Sequence, residues 1–190
     1  MNNKLKNINL QSPYVVLVNE EDEDIGIMKK LEAHQLGLLH RAFSVFIFNS
    51  NHQLLLQKRA LIKYHSPGLW SNSCCSHPLP NENLISAIKR RCIDELGLDI
   101  SPYKAFEFIY KTNFDNGLIE YEYDHVYIAY SDSDVTLNYD EVDSVEYKDM
   151  VWIKNDLKSN PNNYTQWFKI CFNRIYDHMS NLIVKNTLSI

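Results

Sequence analysis

The run LLHRAFSVFIFN, Leu38 to Asn49, constrains the fold more than any other stretch. Phe43, Val45 and Ile47 alternate with Ala42, Ser44, Phe46 and Phe48. In an extended chain alternate residues share a face, so both faces of this segment are largely apolar. A strand of that kind is buried on two sides and needs cover above and below its sheet. After the turn NSNHQ, LLLQKRA is a second strand that pairs with it.

The remaining elements supply the cover. In NENLISAIKRRCIDELGLDI, Leu84, Ile85, Ala87, Ile88, Cys92 and Leu96 recur at helical spacing. Asn81 can cap its start, and Gly97 suits the left-handed position after its end. YTQWFKICFNRIYDHMSNLI predicts an amphipathic helix with Phe168, Cys171, Ile175, Met179 and Leu182 on one side. YKAFEFIYKTNF and LIEYEYDHVYIAY flank Asp115-Asn116-Gly117, a hairpin signal. PYVVLVN from Pro13 and EYKDMVWI read as strands. EEDEDIG reads as a solvated acidic turn, and MKKLEAHQ as a short segment of mixed pattern. The sum is an α/β sandwich with an antiparallel-rich mixed sheet, in one domain spanning 1–190 with its core at about 13–170.

Hydrophobic residues make up 45% of the 190 residues, enough for a substantial core. A net charge of −5 gives no broad polyanion-binding surface and speaks against nucleic acid as a partner. A small anion held by a few local cations is still compatible with it. No stretch approaches the ~18 apolar residues of a membrane span, and the opening MNNKLKNINLQSP lacks a signal-peptide pattern. The expected setting is a reducing cytoplasm with free thiols.

Candidate chemistry centres on SNSCCSHPLP, Ser71 to Pro80. In an extended segment Cys75 and His77 point one way and Cys74 the other. Both cysteines can be read as small buried hydrophobes. The neighbouring Ser71, Asn72, Ser73 and Ser76, with Pro78 and Pro80, instead suggest a shaped loop, where functional residues often lie. His34 and His40 flank QLGLL, and they could converge with His77 if the first long strand lies beside this loop. His52, His65, His125 and His178 have no such company and are assigned no chemical role. Glu120 and Glu122 share a strand face, and two carboxylates so placed need a cation between them or a proton on one. Either the face is simply solvated, or three histidines and two glutamates form a cage for Mn²⁺, Mg²⁺ or Zn²⁺. Lys30, Arg59, Lys63 and Arg91 lie near these segments, and cations so placed suit an anionic ligand.

Taken together, EAHQLGLLHRAFSVFIFN, LLLQKRALIKYHSPGLWSNSCCSHP, RRCIDELG, GLIEYEYD and YTQW resemble the type I isopentenyl-diphosphate isomerases, a branch of the Nudix superfamily. The match runs in order from about Lys30 to Trp167. It implies a Nudix-type α/β/α fold and interconversion of isopentenyl and dimethylallyl diphosphate, with a prenyl diphosphate as substrate. The Nudix box departs from the hydrolase pattern: Glu82, Arg90, Glu95, Gly97 and Leu98 are kept, while Ser76, Arg91 and Asp94 replace a glycine and two glutamates. Arg91 in place of a carboxylate argues against hydrolysis and for contact with phosphate; a Nudix-type diphosphate hydrolase is the alternative.

The resemblance implies roles residue by residue. Cys75 and Glu122 would be the acid–base pair. Tyr110 would sit near Glu122 and relay the proton, and the ring of Trp167 would face a carbocation. His34, His40, His77, Glu120 and Glu122 would hold one divalent ion. A Mg²⁺ bound with the diphosphate would lie near Glu95 and the backbone carbonyl of Cys75. Lys30, Arg59, Lys63 and Arg91 would bind the diphosphate, with Ser76 adding a loop contact. A monomer or weak dimer is expected. The first dozen and last twenty residues match no motif and receive no role.

Overall fold

A computed structural model describes residues 14–63 and 65–187, the last five as backbone only. Pro13, where the first strand was expected to start, and the first dozen residues lie outside the described residues. The order is β1 (Tyr14–Val18), β2 (Asp24–Lys29), α1 (Lys30–Leu36), β3 (His40–Phe48), β4 (Leu54–Arg59), β5 (Trp70–Ser71) and β6 (Cys74–Ser76). Then come α2 (Leu84–Leu96), β7 (Tyr103–Asn113), β8 (Ile119–Tyr130), β9 (Val142–Lys148), α3 (Met150–Ser159), a 3-10 turn at Pro161–Asn163, and α4 (Gln166–Thr187).

The described strands form one mixed sheet around β3. β3 runs parallel to β8 over its whole length and antiparallel to β1, β4 and β6. Its two apolar faces serve two cores, as the alternation requires. Phe46 and Phe48 pack with Val126, Ile128, Phe168, Phe172 and Ile175 beneath α4. Phe43, Val45 and Ile47 pack with Ala87, Ile88, Cys92 and Leu96 beneath α2. Each such fully buried large apolar side chain contributes ~1.5–3 kcal/mol, and the two layers together hold the sheet between helices.

Local signals differ from the reading of sequence in four places. The acidic segment is a hairpin turn followed by β2. Asn19 Oδ1 accepts from the Glu21 and Glu23 amides at 3.1 and 2.9 Å, closing the turn. Asp22 and Asp24 are partnered as well as solvated, because Arg41 bonds each of them at 2.7 Å. The mixed segment MKKLEAHQ divides between the end of β2 and α1. The cap of α2 is Asn83, whose side chain accepts from the Ser86 amide at 2.9 Å; Asn81 lies in the preceding turn with φ 66°. EYKDMVWI spans two elements. β9 ends at Lys148 and α3 begins at Met150, so its apolar run takes helical spacing and buries Ile153 while Val151 and Trp152 remain exposed.

Candidate active site

The parallel pairing of β3 with β8 assembles the site. Register puts His40 beside Glu122, and β7 puts Tyr110 beside Glu122 from the other edge. Alternation turns Glu120, Glu122 and Asp124 to the α4 side, while Tyr121 and Tyr123 pack against Val16, Val18 and Leu39. α1 brings in His34. Gly37 ends that helix in the left-handed conformation, φ 61°, and a Cβ there would meet Ile119 at 3.1 Å. The chain then returns into β3, leaving the His34 and His40 rings 5.0 Å apart. His77, one residue past β6, lies 5.0 Å from His40.

One ligand atom from each of His34, His40, His77 and Glu122 lies within 4.8 Å of all the others. His34 Nε2 is 3.2 Å from His40 Nε2, and His77 Nε2 is 3.1 Å from Glu122 Oε1. His40 Nδ1 stands 2.8 Å from the Leu38 carbonyl. A carbonyl can only accept, so Nδ1 donates to it and Nε2 is the nitrogen turned into the group. Burial, with repulsion from Lys30, pushes the His34 imidazole down to about 2 and the His77 imidazole down to about 4. Three imidazoles whose ring nitrogens converge beside a carboxylate fit a divalent ion.

The two glutamates take different charge states. Burial opposes ionisation of Glu122, but bonds from His40 and His77 prevail and hold it well below the usual carboxylate range. Burial and the charge of Glu122 hold the Glu120 carboxyl well above that range. Tyr110 bridges them, its hydroxyl 2.7 Å from Glu122 Oε2 and 3.2 Å from Glu120 Oε2. Glu120 therefore stands beside the four-residue group rather than within it, with Oε1 3.7 Å from His65 Nδ1.

Within the cysteine stretch Ser71 ends β5 and Cys74–Ser76 form β6, and the polar side chains of Ser71, Asn72 and Ser73 are buried. β6 sets Cys75 opposite Ser44 and Cys74 opposite Val45, so the thiols leave the sheet on opposite faces. Cys74 is enclosed under α2 with Cys92. Cys75 lines a cavity of about 950 Å³, and burial pushes its thiol up to about 12, so it is protonated at neutral pH. Ser73 Oγ donates to the Leu55 carbonyl at 2.7 Å and accepts from the Ile47 amide at 2.8 Å. Trp167 Nε1 donates to Ser71 Oγ at 2.8 Å and to Asn72 Oδ1 at 3.2 Å. The stretch thus anchors the tryptophan as well as carrying Cys75.

Lys30, Arg59, Lys63, Ser76, Arg91 and Glu95 also line the cavity. Burial pushes the Lys30 ammonium down. Arg59 lies 5.2 Å from the Trp167 ring centroid. Lys63 forms an ion pair with Glu141. Arg91 is held by Asp94 and Glu95 at 2.6 Å each and by Glu141 at 3.3 Å. Arg91 thus lines the cavity while paired within a cluster of carboxylates. Gln57 completes that cluster, donating to Glu95 at 2.8 Å.

Two kinds of comparison place these residues in a family. A NUDIX domain matches residues 38–168, more than half the chain. An "Isopentenyl-diphosphate Delta-isomerase" of Pectobacterium atrosepticum is 49% identical over 164 residues, covering 86% of this chain and 92% of that one. "Isopentenyl-diphosphate Delta-isomerase 2" of Aromatoleum aromaticum is 47% identical over 161 residues, 85% of each chain. The chain belongs to the isopentenyl-diphosphate Delta-isomerase family. Among solved structures, DR0079 from Deinococcus radiodurans aligns with a TM-score of 0.65 at 20% identity, covering 77% of this chain and 90% of that one. That likeness shows the shared Nudix fold. Among the described residues no helix is long and apolar enough to cross a membrane.

One residue that lines this cavity and one buried neighbour of Glu122 were not singled out from sequence. His65 lies 5.8 Å from the Trp167 ring and 6.2 Å from that of His34. It falls in a linking segment whose pattern carries no period, so only the tertiary fold reveals its neighbours. Asp124 continues the alternation of Glu120 and Glu122, and that periodicity could have identified it. It accepts from Ser44 at 2.8 Å, while burial and the charge of Glu122 push its carboxyl up to about 8.

Proposed function

We propose that this chain interconverts isopentenyl and dimethylallyl diphosphate. The observation that carries the reading is one cavity in which a protonated thiol at Cys75 and an ionised carboxylate at Glu122 stand on strands either side of β3, with Trp167 in the wall.

Moving the double bond requires a proton added at the terminal carbon and one removed from the carbon bearing the diphosphate arm. The intermediate is a tertiary carbocation, which water would capture. Cys75 and Glu122 hold one proton between them, as a reversible transfer needs. One gives its proton to the alkene while the other accepts from the neighbouring carbon. Tyr110, hydrogen-bonded to Glu122, can pass that proton on. The Trp167 ring faces the positive charge and excludes water from it, an interaction of ~2 kcal/mol or more when desolvated. Lys30, Arg59, Lys63, Ser76 and Arg91 serve the diphosphate end.

His34, His40, His77 and Glu122, with Glu120 alongside, would hold Mn²⁺, Mg²⁺ or Zn²⁺; the bound ion supplies positive charge that orients Glu122 and lowers its proton affinity. Glu95 and the Cys75 carbonyl would serve a Mg²⁺ that arrives with the substrate. Four free cysteines fit a reducing cytoplasm, and a monomer or weak dimer belongs to the same reading.

Hydrolysis is disfavoured because Arg91 occupies the carboxylate cluster that hydrolases of this fold use for metals. Phosphorus NMR during incubation with isopentenyl diphosphate and Mg²⁺ tests the choice. The reading predicts that the diphosphate remains intact as the product forms. Release of phosphate or monophosphate as the sole reaction would establish the hydrolase instead.

A further inference from the structure

Glu141 belongs to none of the motifs above, yet it is 3% exposed on the cavity wall. Its backbone is pinned to the end of β4, its carbonyl accepting from the Ala60 amide at 3.0 Å. Its side chain forms an ion pair with Lys63 and lies 3.3 Å from Arg91 Nη2. Burial opposes its charge, but Arg91 and Lys63 prevail and hold its carboxyl below the ordinary range.

Glu95 lines the same wall, and Arg91 bonds Glu95 and Asp94 at 2.6 Å each. Glu95 and Glu141 therefore already occupy Lys63 and Arg91 on this wall. A bare diphosphate approaching these two cations meets carboxylates that already occupy them. A diphosphate carrying a divalent cation brings a partner for the carboxylates and frees the cations for its oxygens.

We propose that Glu141 is a positioning residue that makes this wall accept a diphosphate only together with a divalent cation, by occupying Lys63 and Arg91 in the free protein. The inference rests on the diphosphate half of the proposed function. It assigns Glu141 a choice between two forms of one ligand, acting through Lys63 and Arg91.

The test is calorimetric titration of inorganic diphosphate into the full chain as purified, with and without Mg²⁺, for wild type and Glu141→Gln. Wild type is expected to bind at least about tenfold more tightly with Mg²⁺, as one unit charge a few ångströms away requires. Glu141→Gln should shrink that gap to about threefold or less by gaining affinity in the Mg²⁺-free arm, and Glu141→Asp should keep it. A Glu141→Gln protein that weakens both arms equally, or keeps the wild-type gap, would overturn the proposal. Should that variant not fold, Lys63→Gln serves in its place. The Mg²⁺ arm should then lose more affinity than the Mg²⁺-free arm, because Lys63 meets the diphosphate only when freed, and equal loss in both arms refutes the proposal. Wild type that binds diphosphate in neither arm sinks the diphosphate reading along with the inference. Binding with no Glu141 effect sinks the inference alone.

Discussion

Replacing Trp167 separates its work on the carbocation from its work in packing. The side chain is 4% exposed, and its Nε1 bonds Ser71 and Asn72 at 2.8 and 3.2 Å. In Trp167→Phe those acceptors keep partners, because Ser71 Oγ still donates to Asn72 at 2.9 Å and lies 3.1 Å from Thr165 Oγ1. Losing this one shared donation together with part of the ring's buried area costs about 2 kcal/mol of stability. For a chain of this size that lowers Tm by about 4–8 °C. The phenyl ring keeps part of the cation–π interaction, so the transition state loses about 1 kcal/mol and kcat falls about fivefold. Trp167→Ala loses ~2 kcal/mol or more of that interaction, and kcat falls about thirtyfold or further. The positive charge on carbon exists only at and near the transition state, so KM for isopentenyl diphosphate should hardly move. Steady-state kinetics beside circular-dichroism melts read both effects. A folded Trp167→Ala protein with unchanged kcat, or with its whole defect in KM, would refute the role given to the ring.

Three further outcomes follow from the geometry. In Cys75→Ala, turnover should nearly vanish with little change in Tm, whereas Cys74→Ala should keep turnover and lower Tm, since Cys74 only fills the core under α2; equal tolerance of both, measured by kinetics and melting, would remove Cys75 from the chemistry. Arg91→Glu should cost about 3–5 kcal/mol, because it leaves an uncompensated buried cluster of carboxylates; Mg²⁺ should restore part of the Tm, and a variant as stable as wild type in chelator would contradict this. In protein stripped of metal, burial holds His34, His65 and His77 down to about 2, 2 and 4 and lowers His125 too, so the unfolded chain binds protons that the folded chain refuses. The raised carboxyls of Asp124 and Glu120 act in the opposite sense, but the four histidines outnumber them. Tm should therefore fall as pH drops from about 6.5 to about 4.5, and a flat or rising Tm over that window would count against the charge states assigned here.

Elements with a clear period are legible in the sequence itself. The two-sided apolarity of β3, the helical repeat of α2 and the Asn-Gly turn between β7 and β8 each follow from local chemistry. The shared face of Glu120 and Glu122 and the split between Cys74 and Cys75 follow from alternation alone. The convergence of His34, His40 and His77 does not, because His77 reaches His40 only through the antiparallel pairing of β6 with β3, a non-local contact, as Glu122 does through β8. EYKDMVWI misleads because its apolar run straddles the end of β9 and the start of α3. The buried roles of Ser71 and Asn72 are hidden for a similar reason. Their partner Trp167 lies about a hundred residues away, and polar residues beside prolines read locally as a loop. Glu141 has no local signal; its ion pairs exist only once β9 lies along β4.

The most direct test of the account is proton exchange during turnover. Isopentenyl diphosphate is incubated with the metal-replete protein and Mg²⁺ in deuterated water, and the product is read by proton NMR and mass spectrometry. The account predicts dimethylallyl diphosphate carrying solvent deuterium in its methyl group, with Cys75→Ala and Glu122→Gln each nearly inactive. Product formed without deuterium, or wild-type turnover in either variant, would contradict it.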